Sequence, residues 1–431
     1  MRHVIIGCGP AGIAAAETLR RLAPSDEITI ISNEERPLYS RCLISYRLML
    51  SDEIDISYRG KAFFKQHRIL PILGRRVARI TPSEKLVHLD NGQKVQYDTL
   101  LIATGGRPII PDIPGADKKG FLAFRSTSDL AAIKALLAST RKAVVLGGGC
   151  IGLQVAAGLM ASGVTVTVII KSSHLLSQVA DETTGNIYAG LFSGKGAEII
   201  DRAEVRTIVG GERVEGVLLH NGRKIDCQLV VVGKGVIPNM EVAKEAGIRC
   251  RRGIAVDDSM MTGINDIYAA GDVAETVDAA SGESTVNALW PCASEQGRVA
   301  GSNMAGSRKS YEGSLRMNTV EFFGLPMISV GRVKPPYEDR EVHSLKDEKR
   351  KHYLKMVFNG DVLAGFIMVG EIGNAGVLTS LVRKRVHLGS VKEDLINGKF
   401  EFSRLIEAIQ KNMDKFHEES YKETLFSFEK K

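Results

Sequence analysis

Two short glycine-rich stretches, 140 positions apart, constrain this chain more than anything else in it. In HVIIGCGPAGIAAAETLRR an apolar run leads through Gly7, Gly9 and Gly12 into a stretch of small residues, and the run EITIIS follows. The arrangement returns in KAVVLGGGCIGLQVAAGLMASGVTVTVII, at Gly147, Gly149 and Gly152. A glycine triplet of this spacing is weak evidence alone, but between a strand and a helix it predicts a dinucleotide-binding βαβ unit. The first glycine permits the tight turn, the second lets the backbone approach a pyrophosphate, and the third lets helix pack on strand. The helix amino terminus then favours the phosphate charge. The chain is therefore expected to be α/β with two dinucleotide sites.

The length of 431 residues suggests two to four domains, and 44 glycines against 13 prolines suit many tight turns and close approaches to ligands. Val4 to Ala16 and Ala143 to Ile170 are apolar enough to mimic a signal-peptide core and a membrane span. Their glycine clusters favour buried strand, turn and helix instead, so no membrane span is expected. Cys8, Cys42, Cys150, Cys227, Cys250 and Cys292 form no CxxC pair, so a zinc site or iron–sulfur cluster lacks support and a cytoplasmic location is favoured. Redox chemistry would then need an organic cofactor, a lone cysteine or metal centres on another protein. The formal charge of +7 is too thinly spread for nucleic acid, though it favours an anionic ligand or acidic partner.

Between and after the glycine units come YDTLLIATGGRPIIPDIPG, VVVGKGVIPN and NDIYAAGDVAE, the last placing Gly271 and Asp272 at the carboxyl edge of a sheet, where open α/β folds bind ligands. In this order the motifs resemble those of the FAD-dependent pyridine nucleotide-disulfide oxidoreductases. RPLYSRCLISYRL and ALWPCASEQGRVAGSNMAG resemble the branch of rubredoxin reductases and nitrite reductase flavin domains, and YLKMVFNGDVLAGFIMVGEIGNAGVLTSLV resembles that branch's small terminal domain. The resemblance implies two Rossmann-like domains, for FAD and NAD(P), plus a small α+β carboxyl-terminal domain. The FAD domain would take residues 1–112 and 250–316, the NAD(P) domain 113–249, and the terminal domain 317–431 with a helical tail. The tail's Phe402, Leu405, Ile406, Ile409 and Met413 have helical spacing.

For FAD, the resemblance implies Gly7, Gly9, Pro10, Ala11 and Gly12 at the pyrophosphate, with Ala103, Thr104, Gly105, Gly271 and Asp272 around the cofactor. Glu34 is the candidate for the adenosine ribose, since Ser32 occupies the usual acidic slot, and Arg41 is placed against the FAD phosphate or flavin edge. For the nicotinamide cofactor, NAD(H) or NADP(H), it implies Gly147, Gly149, Cys150, Ile151, Gly152, Lys171 and Gly235. Here the chain departs from its relatives. Ile170 and Lys171 stand where many NADH enzymes have a glutamate, Cys150 replaces an aromatic, and Gln154 replaces an acid. No metal ligands are expected.

Cys42 falls in register with the single reactive cysteine of peroxide-, oxygen- and CoA-disulfide-reducing relatives, and Arg41 beside it is expected to lower its thiol pKa. The first reading is hydride transfer between nicotinamide and FAD, then electron transfer to or from a small acidic iron–sulfur carrier (rubredoxin or ferredoxin), or within a larger oxidoreductase of which this chain is the NAD(P)-linked subunit. The alternative is a single-cysteine NAD(P)H oxidase, peroxidase or CoA-disulfide reductase using Cys42. A third reading is a FAD-bound structural or sensing subunit. The pattern leaves room for a homo-oligomer.

Overall fold

The computed structural model describes residues 1–50, 53–334 and 340–398, together with 410, 412 and 415. They fall into two compact units: Met1–Leu175 with Ala189–Ser314, and Leu176–Tyr188 with the residues from Leu315 onward. The helical spacing read at Phe402, Leu405, Ile406, Ile409 and Met413 lies outside the described residues.

The first unit holds two five-stranded parallel sheets built to one plan. In the first sheet Arg2–Ile6 is central, flanked by Glu27–Ile31 and then Ile69–Ile72 on one side, and by Thr99–Ile102 and then Ile267–Ala269 on the other. In the second, Lys142–Leu146 is central, with Thr165–Ile169 and Glu198–Ile200 on one side and Leu229–Val232 and Phe121–Ala123 on the other. Runs such as TLLI and LVVV are buried at every position. Buried, almost continuously apolar strands of this kind are what a parallel sheet covered on both faces requires.

Each central strand feeds a glycine loop and a helix, α1 (Pro10–Leu22) in the first case. A short 3-10 turn, Arg41–Leu43, runs into helix α2 (Ile44–Met49). The second glycine loop opens helix α3 (Cys150–Ala161), and helix α4 (Trp290–Met304) returns to pack on α1. A Cβ at Gly297 of α4 would lie 2.1 Å from the Ala11 carbonyl oxygen, so only glycine lets the two backbones come this close. The two halves are also joined by an antiparallel pair, Gly106–Pro108 against Val236–Pro238.

In the second unit a five-stranded antiparallel sheet runs in the order Met317–Phe322, Leu325–Gly331, Val362–Val369, His352–Asn359, Glu341–Asp347. An Asn-Gly-Asp turn joins two of these strands, with Asn359 paired to Val362 across Gly360 and Asp361, and the helix Ala375–Lys384 follows. Among the described residues no helix is long and apolar enough to cross a membrane. The apolar stretch 143–170 is a strand, a glycine turn, a helix and a second strand.

Candidate functional site

The two glycine loops have the same local geometry. Gly7 and Gly147 both have φ of +117°, and a Cβ on either would strike the backbone of the next strand's end, 2.0 Å from the Ala103 oxygen or 2.6 Å from the Gly233 oxygen. Both third glycines are closed off as well, since a Cβ at Gly12 or Gly152 would lie 2.0 Å from the carbonyl oxygen of Gly7 or Gly147. The middle glycines differ from these. A Cβ at Gly9 or Gly149 would meet nothing within 4 Å. Each of these residues is the N-cap of a helix of at least twelve residues with no side-chain cap, so first-turn N–H groups remain for an outside acceptor. Pro10 and Ala11 open α1, and Cys150 and Ile151 open α3, with Ile151 40% exposed. These are two open cradles that fit a pyrophosphate each.

Around the first cradle lies a charged cluster. Arg41 pairs with Glu34, donates to the Tyr39 hydroxyl at 2.8 Å, and reaches the Arg125 carbonyl oxygen at 3.3 Å. Asp272 is held by Arg125 at 2.8 Å, both side chains about one-fifth exposed. Gly271, just before it, donates its N–H to the Gln296 side-chain oxygen on α4 at 2.8 Å. Glu34, Arg41 and Asp272 are thus in one neighbourhood, and Arg125 and Gln296 are additions to the set read from sequence. Arg125 directly precedes Ser126, whose capping box with Asp129 fixes the start of the helix Thr127–Leu137. The signal in FRSTSD was therefore a helix cap, with the arginine just outside it.

Cys42 is exposed, in the same short turn as Arg41. Its thiol pKa is raised, against the expectation from sequence: crowding by surrounding protein and the Asp272 carboxylate push it up, and Arg125 pulls only partly back. Arg41 does not supply the expected lowering because its guanidinium is engaged by Glu34 and Tyr39. Cys8 is buried within the first loop, its thiol pushed up to about 12 by burial with Glu34 adding to the effect. That suits a packing residue.

In the second half, Ile170 is buried, and Lys171, highly exposed, lies 3.2 Å from Glu204. Burial pushes the Cys150 thiol up to about 11. Gly235 has its open side toward Ile109, and Ala103, Thr104 and Gly105 sit where the two halves are joined. There the Thr104 hydroxyl donates to the Asn239 carbonyl at 2.8 Å, the Asn239 side chain donates to the Thr104 carbonyl at 2.9 Å, and the Asn239 N–H donates to the Gly105 carbonyl at 2.9 Å. Among the described residues no cluster of potential metal ligands occurs.

Comparison with known proteins gives a consistent result. The model of the family described as pyridine nucleotide-disulphide oxidoreductase matches residues 1–297, and that described as rubredoxin NAD+ reductase C-terminal domain matches residues 317–386. The chain is 31% identical over 407 residues to the NADH-dependent phenylglyoxylate dehydrogenase subunit epsilon of Aromatoleum evansii, covering 92% of this chain and 94% of the relative. It is 33% identical over 393 residues to a nitrite reductase (NAD(P)H) of Bacillus subtilis, covering 90% of this chain but 48% of the relative, so it spans about half that protein's length. Among solved structures, the NAD-dependent persulfide reductase from A. fulgidus superposes with a TM-score of 0.86 at 27% identity, over 90% of this chain and 78% of that one.

Proposed function

Because the chain belongs to the pyridine nucleotide-disulphide oxidoreductase family, whose members use FAD and NAD(P)H, we propose that it is the nicotinamide-linked flavoprotein of an electron-transfer reaction. Its electrons pass to or from an iron–sulfur carrier, or a larger oxidoreductase in which it is a subunit. The observation that carries this reading is the duplicated cradle, with Gly9 and Gly149 each opening onto free space at an uncapped helix start. A bound flavin supplies the conversion between a two-electron hydride and one-electron steps, which side chains alone cannot perform.

The chain's own residues have separable tasks. The segments of 1–112 and 250–316 hold FAD, with the Gly7-to-Gly12 loop at the pyrophosphate and Asp272, Arg41 and Glu34 along the cofactor. Arg125 joins that set, since it already bonds the Asp272 carboxylate. Residues 113–249 hold the nicotinamide cofactor on the Gly147-to-Gly152 loop, with Lys171 and Gly235 at its edges. The match of residues 317–386 to a domain named for rubredoxin NAD+ reductase favours an iron–sulfur partner, and near-complete coverage of a dehydrogenase subunit favours assembly with others. The +7 charge suits an acidic carrier.

The test is direct. The purified full chain should show a flavin spectrum that bleaches on anaerobic addition of NADH or NADPH, and the reduced protein should then reduce rubredoxin or ferredoxin. Absence of flavin, or flavin that neither nicotinamide reduces, would overturn the proposal.

A second reading is favoured by one observation, the exposure of Cys42 beside Arg41. Its raised thiol pKa keeps it protonated near neutrality, which weighs against a resting nucleophile. Cys42→Ser is expected to leave reduction of an iron–sulfur acceptor within about twofold of wild type, since the exchange at this exposed position is nearly isosteric and that route uses no thiol. Complete loss of peroxide- or disulfide-linked turnover in that variant would establish the cysteine mechanism instead.

A further inference from the structure

Helix α2 belongs to the first half of the unit but makes its most specific contact with the second. The Ser45 hydroxyl donates to the Gln154 side-chain oxygen on α3 at 3.0 Å, 109 residues away in sequence, and Ser45 is 1% exposed. A helical serine commonly bonds back to a carbonyl of its own preceding turn. Here it reaches across to another helix. One turn further along, Leu48 fills the notch at Gly158, where a Cβ would lie 2.6 Å from Leu48 Cγ. The hydrogen bond and the notch together fix both the rotation and the sliding of one helix on the other.

Position gives this contact its meaning. Ser45 lies three residues after Cys42 and four after Arg41, which belongs to the charged cluster around the first cradle. Gln154 lies one turn after Cys150, on the helix whose N-terminus is the second cradle. Both partners are neutral at all ordinary pH values, so the link holds without depending on ionisation.

We propose that Ser45 and Gln154 form a neutral latch that positions the nicotinamide helix α3 against the flavin-side segment Arg41–Leu43, making both of them positioning residues for hydride transfer. The inference rests on the function proposed above. Hydride transfer demands reacting atoms within roughly 3–3.5 Å, and misplacement by about 1 Å can cost about 100-fold in rate. Loss of the latch should therefore slow transfer in the bound complex while leaving nicotinamide affinity in place.

Anaerobic stopped-flow reduction of the FAD-loaded full chain tests this. Ser45→Ala and Gln154→Ala should each lower the limiting rate of flavin reduction about tenfold. The half-saturating nicotinamide concentration and the bound flavin content should not change. The double variant should be no slower than either single one, as expected for two groups acting through one bond. Gln154→Glu, which keeps an acceptor oxygen for Ser45, should return to within about twofold of wild type. Single variants with the wild-type limiting rate, or a double variant slowed by the product of the two effects, would overturn the latch while leaving the function intact. Wild-type flavin that no nicotinamide reduces would overturn the redox reading, and the latch with it.

Discussion

Gly9→Val is expected to give a folded chain that no longer retains FAD, whereas Gly149→Val gives a yellow protein whose flavin NADH and NADPH fail to bleach. The space beside each middle glycine is free of protein, so the new side chain disturbs no packed neighbour. It occupies the volume the pyrophosphate needs and keeps the ligand from the helix N–H groups. Overpacking of this kind costs about 1–3 kcal/mol or more, which at its upper end is about 100-fold in affinity. Gly12→Val and Gly152→Val are the contrasting pair. Each new Cβ would lie 2.0 Å from a carbonyl oxygen, so these variants should fail to fold rather than lose one ligand. Flavin content, circular dichroism and anaerobic bleaching separate the outcomes. If Gly9→Val kept full flavin occupancy, the first cradle would not be the FAD pyrophosphate site.

The sequence made those cradles legible because the physical demands fall on neighbouring residues: a turn, an approach and a packing contact within six positions. The parallel sheets were legible for the same reason, since strands such as TLLI and LVVV must be almost continuously apolar when both faces are covered. What escaped was whatever depended on residues far apart in the chain. Arg125 reads as the residue just before a helix cap, and only the fold brings it 147 residues across to Asp272. Arg41 looked available to acidify Cys42, but pairing with Glu34 and Tyr39 diverts its charge. Gln154 could be seen as replacing an acid, yet nothing in sequence named Ser45 as its partner.

Asp181→Ala is expected to weaken the second unit by about 3 kcal/mol, the lower end of what removing one partner from a buried ion pair costs. Its carboxylate accepts the Thr184 N–H at 3.0 Å and hydroxyl at 2.8 Å through one oxygen, and the Tyr353 hydroxyl at 2.7 Å and the Lys355 ammonium at 3.0 Å through the other. The Asp181 and Lys355 side chains are only 15% and 8% exposed. Burial alone would raise the Asp181 pKa, but the hydrogen bonds from Thr184, Tyr353 and Lys355 outweigh it and the pKa is lowered. A carboxyl group depressed on folding stabilises the native state above its unfolded value of about 3.9, and that stability is lost as pH falls from there through the folded value. Hydrogen exchange along His352–Asn359 reads this locally, which suits a chain of several cooperative parts better than a single unfolding transition. Protection there should fall more than 100-fold in Asp181→Ala at neutral pH. Wild-type protection should decline below about pH 4, a step the variant should lack. Adding Lys355→Met to Asp181→Ala should recover part of the loss, because a buried ion pair is often replaced by apolar residues at little cost. If protection in Asp181→Ala equalled that of wild type, the hydrogen bonds to Asp181 would contribute no net stability to the sheet.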